Sequence, residues 1–119
     1  MKKIILLLFV SSFVLCYSCK KDKSNTGTQT PFAFTSLNAS DTVVTVTTTI
    51  HIIATATGDG LTYTWASADL NGNPYGTIIG SGANIQWNVC HNDRFKVTCT
   101  VSDSHSNSAS KDIIITSKQ

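Results

Sequence analysis

A chain of 119 residues has room for one domain of ordinary size, and 41% hydrophobic residues are enough for one modest core. The formal net charge of +2 reflects Lys2 and Lys3 ahead of an apolar run; from residue 19 onward seven Lys and Arg meet seven Asp, and residues 31–119 hold four basic and six acidic side chains. A slightly acidic domain of this kind excludes nucleic acid as a partner, because phosphate binding requires a basic surface.

Taken from the N-terminus, Met1, Lys2 and Lys3 form a positive start, and residues 4–15, IILLLFVSSFVL, form a mainly apolar stretch followed by the small residues Cys16 and Ser18. This is the layout of a secretory signal over residues 1–18. A membrane-spanning helix needs about 20 apolar residues, and Lys20 and Lys21 arrive too soon for one. Residues 19–30 have no large apolar side chain to bury and are expected to form a flexible tether.

From Pro31 to Gln119 the composition changes to one rich in Thr, Ser, Val and Ile and devoid of Glu, which favours pleated strands and predicts an all-β domain. Strand candidates follow one another at short intervals: 32–35 as an edge segment, 43–47, 50–57, 61–67, 77–79, 83–89, 94–103 and 109–116. Residues 50–57 place Ile50, Ile52, Ala54 and Ala56 on one face. Residues 94–103, RFKVTCTVSD, alternate most regularly, with Phe95, Val97, Cys99 and Val101 on the core parity. The glycines of Gly58-Asp59-Gly60 and Gly80-Ser81-Gly82 mark turns. No segment carries helical periodicity over three turns. The expected result is an antiparallel β-sandwich of about seven strands, with Trp65 and Trp87 filling its centre.

Chemical motifs are few. His51, His91 and His105 have no metal-ligand spacing, and the adjacent Cys90 and His91 would point apart on an extended chain, so no metal or other cofactor is expected. Asp59, Asp69 and Asp103 stand at loop edges, where a calcium site would need several loops to converge and where turn formation is the ordinary task of Asp. No Gly-x-Ser-x-Gly nucleophile elbow occurs, and without Glu any paired-carboxylate chemistry would rest on Asp alone. The reading is therefore of a protein that is not an enzyme. Of the four cysteines, Cys16 and Cys19 border the apolar run; Cys99 is expected in the core and Cys90 outside it, unbonded to each other. The longest run of turn formers, residues 69–75 (DLNGNPY), is the candidate contact loop, with Asp69, Asn71, Asn73 and Tyr75 as its contact residues.

Two resemblances add to this. Cys16-Tyr17-Ser18-Cys19 resembles the lipobox of bacterial lipoproteins, which implies acylation of Cys19; an ordinary signal peptidase could cut the same bond, and either route starts the mature chain at Cys19. The Lys-Lys-Asp-Lys run that follows is similar to the export tags of surface lipoproteins, so the implied location is the bacterial outer membrane, facing the periplasm or the cell surface. In order along the chain, GLTYTW (60–65), GTIIGSG (76–82), IQW (85–87) and FKVTCTVSD (95–103) together resemble bacterial Ig-like domains of the PKD-like type over residues 40–117. That resemblance puts Trp65 in the strand C position and Phe95 where the family usually has Tyr. It implies an envelope-anchored, non-catalytic binding or adhesion module that presents loops to a protein or glycan, or alternatively a structural spacer or assembly subunit of a larger envelope complex.

Overall fold

The computed structural model describes residues 27–119, so the apolar run, Cys16, Cys19 and most of the expected tether lie outside the described residues. Eight strands follow in order: β1 (Ala33–Ala39), β2 (Val43–Thr45), β3 (Ile50–Thr57), β4 (Thr62–Asp69), β5 (Thr77–Ile79), β6 (Asn84–Asn88), β7 (Arg94–Ser102) and β8 (Ser108–Lys118). They form two four-stranded sheets, β1-β3-β6-β5 and β2-β8-β7-β4. Among the described residues the fold is all-β and sandwich-like.

The most regular stretch of the sequence forms β7, and its position explains that regularity. β7 is an inner strand, paired along its length with β8 from Arg94↔Thr116 to Ser102↔Ser108, and with β4 from Asp69↔Phe95 to Thr62↔Ser102. A strand with neighbours on both sides and one face on the core keeps strict alternation. Phe95, Val97, Cys99 and Val101 are all buried, as is Ile115 from β8. Across the core, β3 contributes Ile50, Ile52 and Ala54, and β6 contributes Ile85 and Trp87. Each large side chain buried here stabilises the fold by about 2 to 3 kcal/mol.

Two sequence expectations need correction. The sandwich is not antiparallel throughout: the chain leaves the first sheet after β1 and joins the second as β2, which pairs with β8 in parallel through Val43↔Thr116 to Thr45↔Lys118, and the described residues form eight strands where about seven were expected. The two tryptophans also differ in role. Trp87 is wholly buried against Phe95, with ring centroids 5.6 Å apart, whereas Trp65 is half-buried, packs against both parts of the core, and donates from Nε1 to the Gly82 carbonyl at 2.9 Å. β4 is an edge strand, so a side chain on it has neighbours on fewer sides than one on β6.

At the start of the domain, Thr30 N–H donates to the Asp59 carboxylate at 3.0 Å and the Pro31 carbonyl accepts from Thr57 Oγ1 at 3.0 Å. Ordered contacts thus reach back to the last residue of the segment expected to be a tether.

A candidate contact site around Tyr75

β4 ends in a carboxylate that shapes the loop after it. Asp69 Oδ1 accepts from the amides of Asn71 (2.8 Å) and Asn73 (2.9 Å), while Oδ2 accepts from Asn73 Nδ2 (2.7 Å). The bond from the Asn73 side chain, reinforced by the backbone amides, holds the Asp69 carboxyl below the usual carboxylate range. Asp69 N–H closes the turn on the Asn73 carbonyl at 2.9 Å, and Gly72 takes the positive φ of 90° that the reversal requires.

Beyond the turn the chain is tied back to the sandwich. Pro74 bridges to Ala68, and Tyr75 N–H donates to the Ser67 carbonyl at 3.0 Å. Gly76 lies against Trp87, whose Nε1 donates to Ser67 Oγ at 2.8 Å. The Tyr75 ring stands edge-on to His91 (centroids 5.0 Å, 84°) and tilted over Phe95 (5.8 Å), yet remains 37% exposed. Leu70, at the crest of the turn, is 52% exposed. Held at both ends, the loop offers two exposed apolar side chains on a fixed backbone, a low-entropy way to present a contact surface.

Two hollows flank Tyr75. One, of about 470 Å³, is bounded by residues that include Thr47, Pro74, Thr77, Asn88 and Cys90; the other, of about 140 Å³, lies between Asp69, Tyr75, His91, Asn92, Asp93 and Phe95.

Of the sequence-derived contact loop, Asp69, Asn71 and Asn73 form one hydrogen-bonded turn, and Tyr75 follows it against another part of the fold. Asp69 and Asn73 spend their side chains on each other, Asn71 lends its amide to the same turn, and Tyr75 alone of the four turns its side chain to the neighbouring bend. Leu70, Cys90 and His91 were missed as members of this surface, and Phe95 as the buried ring against which Tyr75 packs. Leu70 carried a signal, being the one large aliphatic side chain in a run of turn formers. The bend residues carried none, since only tertiary packing brings 90–95 to Tyr75. The expectation that Cys90 and His91 point apart also fails: Cys90 Sγ is 3.0 Å from His91 Nδ1. Residues 90–93 form a bend, so the alternation of an extended chain does not apply to them.

The other candidate aspartates lie at the far end of the sandwich. β4 and β7 pair from Asp69↔Phe95 to Thr62↔Ser102, which separates the Asp69 end from the Asp103 end by about 23 Å. Asp103 builds a second turn of the same design: Oδ1 accepts from the amides of His105 and Asn107, both at 2.9 Å, and Oδ2 from Asn107 Nδ2 at 2.8 Å. Burial pushes the Asp103 carboxyl up, but the bonds from Asn107 and the His105 amide outweigh it and hold the group below its ordinary value. Hydrogen bonding by Thr30 likewise lowers Asp59. Asp69 and Asp103 are thus turn-forming carboxylates, and among the described residues no group of three or more His, Cys, Asp or Glu is placed to hold a metal ion.

Cys90 is exposed and Cys99 buried, with both thiols free. Burial pushes the Cys99 thiol up to about 11, as suits a side chain that serves as a small core hydrophobe. No protein-family model matches this chain, and no curated protein matches its sequence.

Proposed function

We propose that this chain is an envelope-anchored, non-catalytic binding or adhesion module of Ig-like, PKD-like type, lipidated at Cys19, which presents the loop of residues 70–76 to a protein or glycan. The observation that carries the reading is the loop itself: Leu70 and Tyr75 are exposed on a backbone locked by Asp69 at one side and by the Gly76–Trp87 contact at the other. Disordered loops lose entropy on binding, and a locked one avoids much of that cost. Aromatic and large aliphatic side chains at the centre of a contact supply most of its energy.

The Ig-like reading is supported by strand order. An Ig sandwich sets strands A, B, E and D in one sheet and C, F and G in the other. Here β1-β3-β6-β5 corresponds to A-B-E-D and β8-β7-β4 to G-F-C, with β2 as a short A-type strand beside G. Trp65 then falls on strand C and Phe95 at the start of strand F. The anchor rests on the sequence at 16–19 and on the polar segment that follows it.

Pull-down from detergent-extracted envelopes with the full exported chain tests the function. The native chain is expected to retain a partner that the Leu70→Ser, Tyr75→Ser double variant retains at least tenfold less well; equal retention by both would overturn the assignment of the loop. Intact mass of the membrane-extracted protein tests the anchor: a chain beginning at a diacylated or triacylated Cys19 is expected, and an unmodified N-terminal Cys19 would contradict it.

A further inference from the structure

The bend between β6 and β7 holds a nucleophile with a proton acceptor beside it. Cys90 is exposed, and its Sγ lies 3.0 Å from Nδ1 of His91. The opposite ring nitrogen, Nε2, is 3.5 Å from the Tyr75 hydroxyl, and the Tyr75 ring stands edge-on to the imidazole with centroids 5.0 Å apart. The imidazole is therefore positioned from both sides. When Nε2–H donates to the Tyr75 oxygen, Nδ1 presents its lone pair to the thiol, which is the tautomer that takes a thiol proton. Cys90 also lines the hollow of about 470 Å³, together with Thr47, Pro74, Tyr75, Thr77 and Asn88. That volume lies within the range of clefts that hold small molecules. Cys99, by contrast, is wholly buried in an apolar cluster with Phe34, Ala54 and Val101.

We propose that Cys90 is a site of covalent modification by thiol–disulfide exchange, with His91 as the proton acceptor and the adjoining hollow receiving one half of a low-mass disulfide. The Cys90 proton passes to His91 Nδ1, and the thiolate attacks one sulfur of the incoming R–S–S–R. A bond forms between Sγ and that sulfur as the original S–S bond breaks. The departing RS⁻ takes the proton from the imidazolium and leaves as RSH. The incoming disulfide is the oxidant, the products are the mixed disulfide at Cys90 and one free thiol, and no other redox partner enters. A low-mass occupant suits a hollow of this volume, bounded by Pro74, Tyr75 and Gly76 of the loop and by Thr77 and Asn88 at the strand ends.

The experiment uses the full chain, purified reduced and exposed to bis(2-hydroxyethyl) disulfide at neutral pH, with the modified cysteine located by peptide mapping over time. Cys90 is expected to gain one half-disulfide at a rate that saturates with probe concentration and exceeds its rate in the urea-unfolded chain, while Cys99 stays unmodified until the protein unfolds. His91→Gln is expected to slow Cys90 by roughly tenfold or more with an unchanged thermal midpoint, since a base in position contributes at least that much. The proposal is overturned if folded Cys90 reacts no faster than unfolded Cys90, a comparison that needs no variant. It is also overturned if a stably folded His91→Gln variant reacts at the native rate, or if the main product is a Cys90-linked pair of chains, which would assign the thiol to a second copy rather than to a small disulfide.

Discussion

Gly76 and Trp87 touch so closely that no side chain fits between them: a Cβ on residue 76 would stand 2.5 Å from the indole Nε1 and 2.8 Å from Cε2. The contact joins the exposed loop to the centre of the core, because Trp87 is wholly buried and its Nε1 is committed to Ser67 Oγ. Movement of the loop at Gly76 is therefore movement of the largest buried side chain.

The first prediction follows from that contact. Gly76→Ala must displace the indole or the loop and must also hold alanine at a φ of 83°, so it is expected to destabilise the domain by about 2 kcal/mol or more. Urea unfolding followed by tryptophan fluorescence measures it. A loss under about 0.5 kcal/mol would show that the loop yields freely and is not locked.

The two aspartate turns give the second. Gly72 sits at φ 90° in DLNGN, and the corresponding residue of DSHSN is Ser106, at φ 67°. A side chain in the left-handed region costs about 1 to 2 kcal/mol, of which the greater chain entropy of glycine returns a part. Ser106→Gly is expected to stabilise by about 0.5 to 1 kcal/mol and Gly72→Ser to destabilise by a similar amount, both read as shifts in the urea midpoint. Two changes of the same sign would contradict the equivalence of the turns.

Much of this arrangement is legible in the sequence, and the reasons are local. The bounds of β3 and β5 coincide with those read from alternation and turn residues, and β7 differs by one residue at its end. Trp87, Val89, Phe95 and Cys99 fall on the buried parity. What was not legible depends on distant partners. The parallel pairing of β2 with β8 involves three residues whose alternation is no different from that of an antiparallel strand. Whether Trp65 or Trp87 is the central one depends on which strand lies at an edge. The candidate site divides in the same way: the carboxylate-to-amide spacing of Asp69 and Asn73 is written in the chain, whereas the approach of His91 and Phe95 to Tyr75 is made by packing between loops.

The carboxylates give an acid limb. Asp69, lowered by the Asn73 side chain and nearby amides, and Asp103, where the same kinds of bond outweigh burial, have folded values below that of an unfolded Asp, about 3.9. The unfolded chain then binds protons first as pH falls. Their contribution is fully present above about pH 4 and is lost as pH drops through the lowered folded values. Asp103→Asn is expected to be less stable than the native chain at pH 7 and to lose less on going to pH 3. Parallel stability profiles for the two proteins would contradict the linkage.

Ser117 is 1% exposed, and its hydroxyl has no hydrogen-bond partner among the described residues. An unpaired buried hydroxyl costs about 1 to 3 kcal/mol, and its removal leaves only a small void. Ser117→Ala is expected to raise stability by about 0.5 to 1 kcal/mol in the same urea assay. A clear loss would mean that the hydroxyl is paired after all.

Whether the loop of residues 70–76 is the contact surface is tested most directly by photocrosslinking in the native envelope, with a photoreactive side chain placed at Leu70 in one variant and at Ser106, at the opposite end of the sandwich, in another. Both positions are exposed, so the two probes differ chiefly in which end they sample. A discrete adduct from Leu70 and none from Ser106 is the predicted result; an adduct from Ser106 alone would place the partner at the Asp103 end and contradict the account.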